Sequence, residues 1–256
     1  YFEGSGRFQL DRRWSVTTAM RVVTDRTFLR RYDISRDDRL RTVINVERMS
    51  RSSYLSIAGW AFQTLRAGET QGQFPVALPA IDWRKRLADP WAGGQFEFQL
   101  NSLSLIRAEG QDTQRAFAGA RWDLRRITSM GQEVKLTAYG RADVYHTDDI
   151  LGTTTVDYRG QPGWNGRLIG ALAAEIRWPL VGQFLGGQQR LTPRMQVVAA
   201  PNSPNLKLPN EDARAVDLED SNLFALNRFP GYDRWEDSTR MTYGVDWAWD
   251  APGIRV

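Results

Sequence analysis

Residues 209–239 read PNEDARAVDLEDSNLFALNRFPGYDRWEDST and run directly into RMTYGVDWAW, residues 240–249. The first part is a long polar loop and the second is a strand. Met241, Tyr243, Val245, Trp247 and Trp249 fall on one face of that strand, and Thr242, Gly244, Asp246 and Ala248 on the other. Side chains on a strand alternate between its two faces, so this period of two marks a strand with one apolar side. A strand of a soluble sandwich shows the same alternation. Here, however, the apolar set ends in two tryptophans, and membrane barrels combine alternation with aromatic girdles at the strand ends.

The rest of the chain repeats the pattern. Trp14, Val16, Thr18, Met20 and Val22 share a face, and after a charged connection Leu40, Thr42, Ile44 and Val46 alternate with Arg41, Val43, Asn45 and Glu47. A turn at 51–53 leads into a strand at 54–65 with Trp60 and Phe62 on the Tyr54 face, which predicts a hairpin. Pro75 and Pro79 each lack a backbone donor, so 68–89 is expected to be a loop or edge segment rather than a central ladder strand. Phe96, Phe98 and Leu100 share a face, but Leu103 and Leu105 have the opposite parity, which predicts a register shift near Asn101-Ser102. Segments 114–126 and 132–145 predict a second hairpin across Ser129-Met130-Gly131, and 167–178 and 191–200 supply further strands. The expected total is ten to twelve, with no repeat of the kind that builds propellers or solenoids.

Composition narrows the class. Ten Trp and 11% aromatics coexist with a mean hydropathy of −0.49, as in a barrel whose alternate residues face a polar lumen. No apolar run is long enough for a transmembrane helix, and residues 1–14 lack the apolar core of a signal peptide. An exported chain needs such a signal, so these residues are expected to be an internal fragment that opens in mid-strand at Tyr1-Phe2 and stops at 253–256. Without cysteine, no disulfide or Cys-liganded metal forms within the chain. The net charge of +4 is dispersed, with 34 basic residues among 30 acidic ones. No basic stripe emerges, so nucleic acid is not an expected partner.

Chemistry finds little footing. The single histidine, His146, stands beside Asp148 and Asp149, but no G-x-S-x-G elbow accompanies it, so a loop histidine outweighs a catalytic base. Glu211, Asp212, Asp217, Glu219 and Asp220 offer hard oxygen ligands for calcium, or for divalent cations bridging phosphates, yet lack EF-hand spacing; a solvated loop outweighs a metal site. The glycine pairs at 93–94 and 186–187 open no nucleotide-binding loop. Catalytic residues, metal ligands and cofactors are therefore all expected to be absent. Trp14, Trp60, Trp178, Trp247 and Trp249 suit an interfacial belt. On the residues alone the fold class is all-β, an antiparallel transmembrane β-barrel. A porin, a barrel enzyme and a soluble carbohydrate-binding β domain remain as alternatives; the last would have to tolerate oversized exposed apolar patches.

Several motifs carry a resemblance. Asn210-Glu211-Asp212 precedes Asn222-Leu223-Phe224, then Asn227-Arg228-Phe229-Pro230-Gly231-Tyr232-Asp233-Arg234 and the TYG of the next strand. This order and spacing resembles the C-terminal barrel region of the LptD family of LPS-assembly outer-membrane proteins. FPVALPAIDW at 74–83, with Pro75 and Pro79, is similar to that family's P..LP.ID segment; Arg107, Gly110, Asp112 and Arg115 match its R..G.D..R pattern, and LTPRMQ at 191–196 its L.PR.Q strand.

The resemblance implies that residues 1–256 form a single segment of a large outer-membrane barrel, without the periplasmic jellyroll domain. It implies a role in placing lipopolysaccharide in the outer leaflet of a Gram-negative outer membrane, with no covalent chemistry. The implied partners are LPS, the plug lipoprotein LptE, periplasmic LPS bridge proteins acting through the jellyroll domain, and outer-membrane lipid. Relatives can carry disulfides between the jellyroll and the barrel, and this chain supplies no cysteine for one. Gly231, Asp233 and Arg234 match the family's G.DR loop, and Asp233 and Arg234 are expected to make polar contacts that fold the loop into or over the barrel. Asn222, Leu223, Phe224, Asn227 and Arg228 complete the candidate motif. Pro75 and Pro79 are expected to stiffen a barrel loop rather than touch substrate.

Overall fold

A computed structural model describes residues 1–153, 155–213, 215–251 and 254–255; of the expected chain end, positions 253 and 256 lie outside the described residues. The strands are β1 (Phe2–Gln9), β2 (Trp14–Val22), β3 (Arg39–Met49), β4 (Ser53–Thr64), β5 (Val76–Arg86), β6 (Gln95–Ile106), β7 (Asp112–Ile127), β8 (Glu133–Asp148), β9 (Gly163–Arg177), β10 (Leu180–Phe184), β11 (Gly187–Ala200), β12 (Ser238–Ala251) and β13 (Ile254–Arg255). They form one 13-stranded antiparallel sheet in which chain neighbours pair, except that β10 lies off the path and pairs β11. Among the described residues the sheet does not close on itself. Among those residues no helix is long and apolar enough to cross a membrane.

The connections differ at the two ends. One end has the shorter connections, at 10–13, 50–52, 87–94, 128–132 and 185–186, while the other carries 23–38, 65–75, 149–162 and 201–237 with one five-residue link at 107–111. Leu185 and Gly186 both have positive φ, at 47° and 79°, as a two-residue hairpin turn twisted like its strands requires. Short turns on one rim and long loops on the other is the layout of an outer-membrane barrel, with the turns periplasmic.

Polarity across the sheet is the reverse of that in a soluble domain. Leu168 is 80% exposed and Tyr243 76%, whereas Arg167 is 3% exposed and Asp143 6%. In water, large aliphatic groups go inside and charges stay out. Here the apolar residues coat the outer face and the charged ones line the inner face, an arrangement suited to lipid outside and a polar lumen inside. Indole N–H groups anchor the turn end. Trp122 donates to the Trp91 carbonyl, Trp178 to that of Met130 and Trp249 to that of Phe184, at 2.9, 3.1 and 3.0 Å.

Four expectations change. Pro79 lies inside β5, which pairs both β4 and β6. The ladder is interrupted at Leu78-Pro79 on both sides, with shifts between Ala58 and Trp60 and between Ala77 and Ala80, so the missing N–H breaks no bond. Pro75 stays in the connection, as expected. The irregularity predicted at Asn101-Ser102 is therefore on β5: β6 and β7 pair without a break from Gln95 to Leu105, and Leu103 and Leu105 simply share the Gln99 face. Trp60 shares a face with Asn45 and Glu47 and has the Arg41 guanidinium over its ring, so it belongs to the lumen wall and not to the belt. The named strands also exceed the expected number because of the short β10 and β13.

The outer face yields a prediction. Leu168→Arg should lower stability by about 2–4 kcal/mol in lipid, whereas an exposed Leu on a soluble domain would tolerate the change within about 0.5 kcal/mol. Urea unfolding of the protein in vesicles, followed by heat-modifiable mobility, measures the difference.

Candidate functional site

The inner faces of β7, β8 and β9 set up the site. Arg115 lies opposite Tyr145, and Asp143 opposite Arg167; residues facing each other across paired strands come within side-chain reach. Arg141 is two residues before Asp143 and so shares its face. The Arg167 guanidinium donates to Asp143 Oδ2 through Nε and Nη2 at 2.8 and 2.6 Å, and Arg141 Nη2 to the same oxygen at 2.9 Å. Cations and carboxylate are almost fully buried, so they require further partners.

Those partners come from residues 201–237, which fold back onto the wall. The Tyr232 carbonyl accepts from Arg141 at 2.7 Å and Arg167 at 3.0 Å, and the Asp233 carbonyl from Arg167 at 2.9 Å. Asp212 and Asp233 then cap each other's backbone. Asp233 Oδ2 accepts from the Glu211 and Asp212 N–H groups at 2.7 and 3.2 Å, and Asp212 Oδ1 from those of Tyr232 and Asp233 at 3.0 and 2.9 Å. Arg115 Nη1 bridges the two carboxylates, 2.7 Å from Asp212 and 2.5 Å from Asp233, and Tyr145 OH donates to Asp233 at 3.1 Å. Two carboxylates thus share one guanidinium. Burial works against ionisation of Asp212, but the adjacent Arg115 holds its carboxyl below the ordinary value; burial pushes Asp233 upward despite Arg115, and the charge on Asp212 adds to the rise.

Gly231 makes this closure possible. Its φ is +72°, and a Cβ there would lie 2.4 Å from the Asp212 carboxyl and 2.7 Å from the Asp212 carbonyl oxygen, so a side chain would collide. Arg234 ties two loops together. Its Nη1 donates to the carbonyls of Asn205 and Leu208 at 2.9 and 3.0 Å, and its Nη2 to that of Asp157 at 2.9 Å. On the near side Arg107 forms a bidentate pair with Glu211, at 3.1 and 2.5 Å.

Other candidate residues make a second anchor. Asn227 accepts from the Glu236 N–H at 2.9 Å and donates to the Arg234 carbonyl at 3.0 Å. Arg228 pairs through two nitrogens with Glu236, which also lies 3.3 Å from Arg240. Burial raises the Glu236 pKa, but the Arg228 bonds and the Arg240 charge more than offset it, leaving the carboxyl below its ordinary 4.5. Phe224 lies under the Arg194 guanidinium, 3.8 Å from the ring centre.

A family model described as LptD, LPS transport system D, matches residues 1–254. The chain belongs to the LptD family. LptD proteins are outer-membrane β-barrels of LPS transport and assembly, a class defined by transport and not by catalysis. No curated protein matches the chain.

Within this LptD chain the structure joins Asn227, Arg228, Gly231, Asp233 and Arg234 in one folded loop, with Phe224 holding its flank. Among the described residues Asn222 makes local turn bonds, to the Asp217 carbonyl and the Glu219 N–H, and the Leu223 N–H donates to the Glu219 carbonyl. Among the described residues, Pro75 and Pro79 make none of the cluster's hydrogen bonds or ion pairs. Glu211 and Asp212 bind arginines; among the described residues no acidic group is arranged to hold a metal. His146 lies 3.0 Å from Gln114, with its ring against Trp164. The reading of the sequence passed over Arg141, Asp143, Tyr145 and Arg167. Their one signal is an Arg-Asp-Tyr alternation on β8, which by itself indicates only a polar face.

Two predictions follow from this geometry. Asp233→Ala leaves Arg115 buried beside a single carboxylate and should cost about 3–5 kcal/mol, and Gly231→Ala should release the same loop. Limited proteolysis between residues 201 and 237, with barrel mobility as the control, reads both. Because Glu236 titrates below 4.5 when folded, its contribution is complete above 4.5 and is lost as pH falls through the folded value. Acid titration of loop opening should show this loss in the wild type and a smaller one in Glu236→Gln, where Asp212 still titrates below its ordinary value.

Proposed function

We propose that this chain is a single barrel segment of an LPS translocon in the outer membrane, with its long extracellular loop folded inward as part of the lumen. The observation that carries the reading is the wall's polarity: an apolar exterior around an inner face that buries Arg115, Arg141 and Arg167 with their carboxylates. Such a wall anchors itself in hydrocarbon while offering a polar path to a charged sugar headgroup, which the bilayer core would reject. The acyl chains can remain in lipid throughout. On this reading the partners are LPS, an LptE-type plug lipoprotein in the lumen and periplasmic LPS bridge proteins acting through a domain outside these residues. Energy for transport comes from elsewhere in the pathway, and the barrel performs no covalent step. Asp233, Arg234 and Gly231 serve by shaping the lumen.

Replacing the parent protein in its host with its Asp233→Ala form tests this. The expected result is loss of newly made LPS from the surface, read by its accessibility to an external modifying enzyme, with accumulation inside. Normal delivery by the variant, with the wild-type protein verifiably depleted, would contradict the reading. Porin-like conductance by the purified parent would favour a channel instead.

A further inference from the structure

The periplasmic rim carries a basic recess separate from the Arg115–Asp212–Asp233 clasp, though its Arg84 also donates to the Tyr232 hydroxyl of the clasp loop. It lies where the β3–β4 turn meets β5, is lined by Met49, Arg51, Ser52, Tyr54, Arg84 and Arg86 among others, and has a volume of about 340 Å³. Arg84 is held by Asp82 at 2.7 Å and by the Tyr232 hydroxyl at 3.3 Å, and Arg86 by Glu97 at 3.1 Å. Arg51, at the tip of the turn, has no hydrogen bond or ion pair among the described residues. The recess therefore gathers Arg51, Arg84 and Arg86 against Glu97, with Asp82 beside Arg84, an excess of positive charge with one guanidinium unengaged. Ser50 and Ser53 place their hydroxyls 2.7 Å apart in the same turn. Arg84 and Glu97 share the inner face with Asp82 and Gln99, so the recess opens toward the lumen mouth.

Forked guanidinium donors with nearby hydroxyls match the geometry of a phosphate group. We propose that this recess binds the phosphate of a lipid headgroup arriving at the periplasmic rim, with Arg51 as the free ligand and Arg86 as the second. Two sources share that chemistry: the phospholipids of the inner leaflet and the phosphorylated glycolipid that the family transports. Binding itself is independent of the transport reading, and it can be measured without it.

Arg51 supports nothing else in the fold, so Arg51→Ala should leave barrel mobility unchanged, and Arg51→Ala/Arg86→Ala provides the stronger loss. The protein in nanodiscs is titrated with short-chain phosphatidylglycerol, with bis-phosphorylated lipid A and with its dephosphorylated form, read by native mass spectrometry. We expect Arg51→Ala to weaken binding of a phosphorylated probe about tenfold, the scale of one charge-assisted contact, with partial rescue by Arg51→Lys and weakening by salt. Selective loss for phosphatidylglycerol assigns the site to the leaflet, and selective loss for lipid A to the transported glycolipid. Equal affinity for phosphorylated and dephosphorylated probes, or unchanged binding in the folded double variant, would overturn the proposal.

Discussion

A guanidinium that is only 5% exposed must have acceptors on hand, and Arg115 finds them in Asp212 and Asp233, two residues of one loop. Everything at the long-loop rim depends on that sharing. Because each aspartate also caps the other's backbone, the loop's two ends are fixed to each other in the same act that fixes them to β7. Arg141 and Arg167 then take the Tyr232 and Asp233 carbonyls, extending the attachment over β8 and β9. The network joins three strands and a loop distant in sequence, and removing one member leaves its partners buried with fewer counter-charges or acceptors. A one-residue slip of β8 would turn Arg141, Asp143 and Tyr145 to the outer face together. The clasp therefore closes only on a wall in correct register.

The outer face obeys the complementary constraint. Leu168, Leu172, Met241 and Tyr243 lie bare because lipid is their solvent, and the Trp girdle closes the turn end by giving its N–H groups to turn carbonyls. Membership of the LptD family gives both faces a common purpose: one surface belongs to the bilayer, and the other to a polar lumen narrowed by its own loop.

Much of this was legible in the sequence. Alternation in 240–249 and 132–145 marks strands with one apolar face, since the side-chain period on a strand is fixed at two. Gly231, Asp233 and Arg234 stood out by their spacing within a recognisable loop. Arg141, Asp143, Tyr145 and Arg167 did not, because a polar residue on a lumen face looks the same whether it meets water or a returning loop. What distinguishes them is a contact with Tyr232 and Asp233, and local periodicity does not encode which distant segment returns. Pro79 misled for a related reason. A proline is excluded from a ladder only where the strand on its N–H side demands that donor, and here the shifts beside Ala58 and Ala77 remove the demand. Trp60 likewise shares its parity with Tyr54, and its side of the wall was decided by Asn45, Glu47 and Arg41 on the neighbouring strand.

Amide hydrogen exchange in the folded, membrane-reconstituted protein addresses the clasp most directly, at the N–H groups of Glu211, Asp212, Tyr232 and Asp233. All four donate to a clasp carboxylate and none belongs to a strand, so they should be protected well beyond ordinary loop amides. That protection should vanish in Arg115→Met while the amides of β7 and β8 stay protected. Exchange of these four amides at open-loop rates in the wild-type protein would contradict the account.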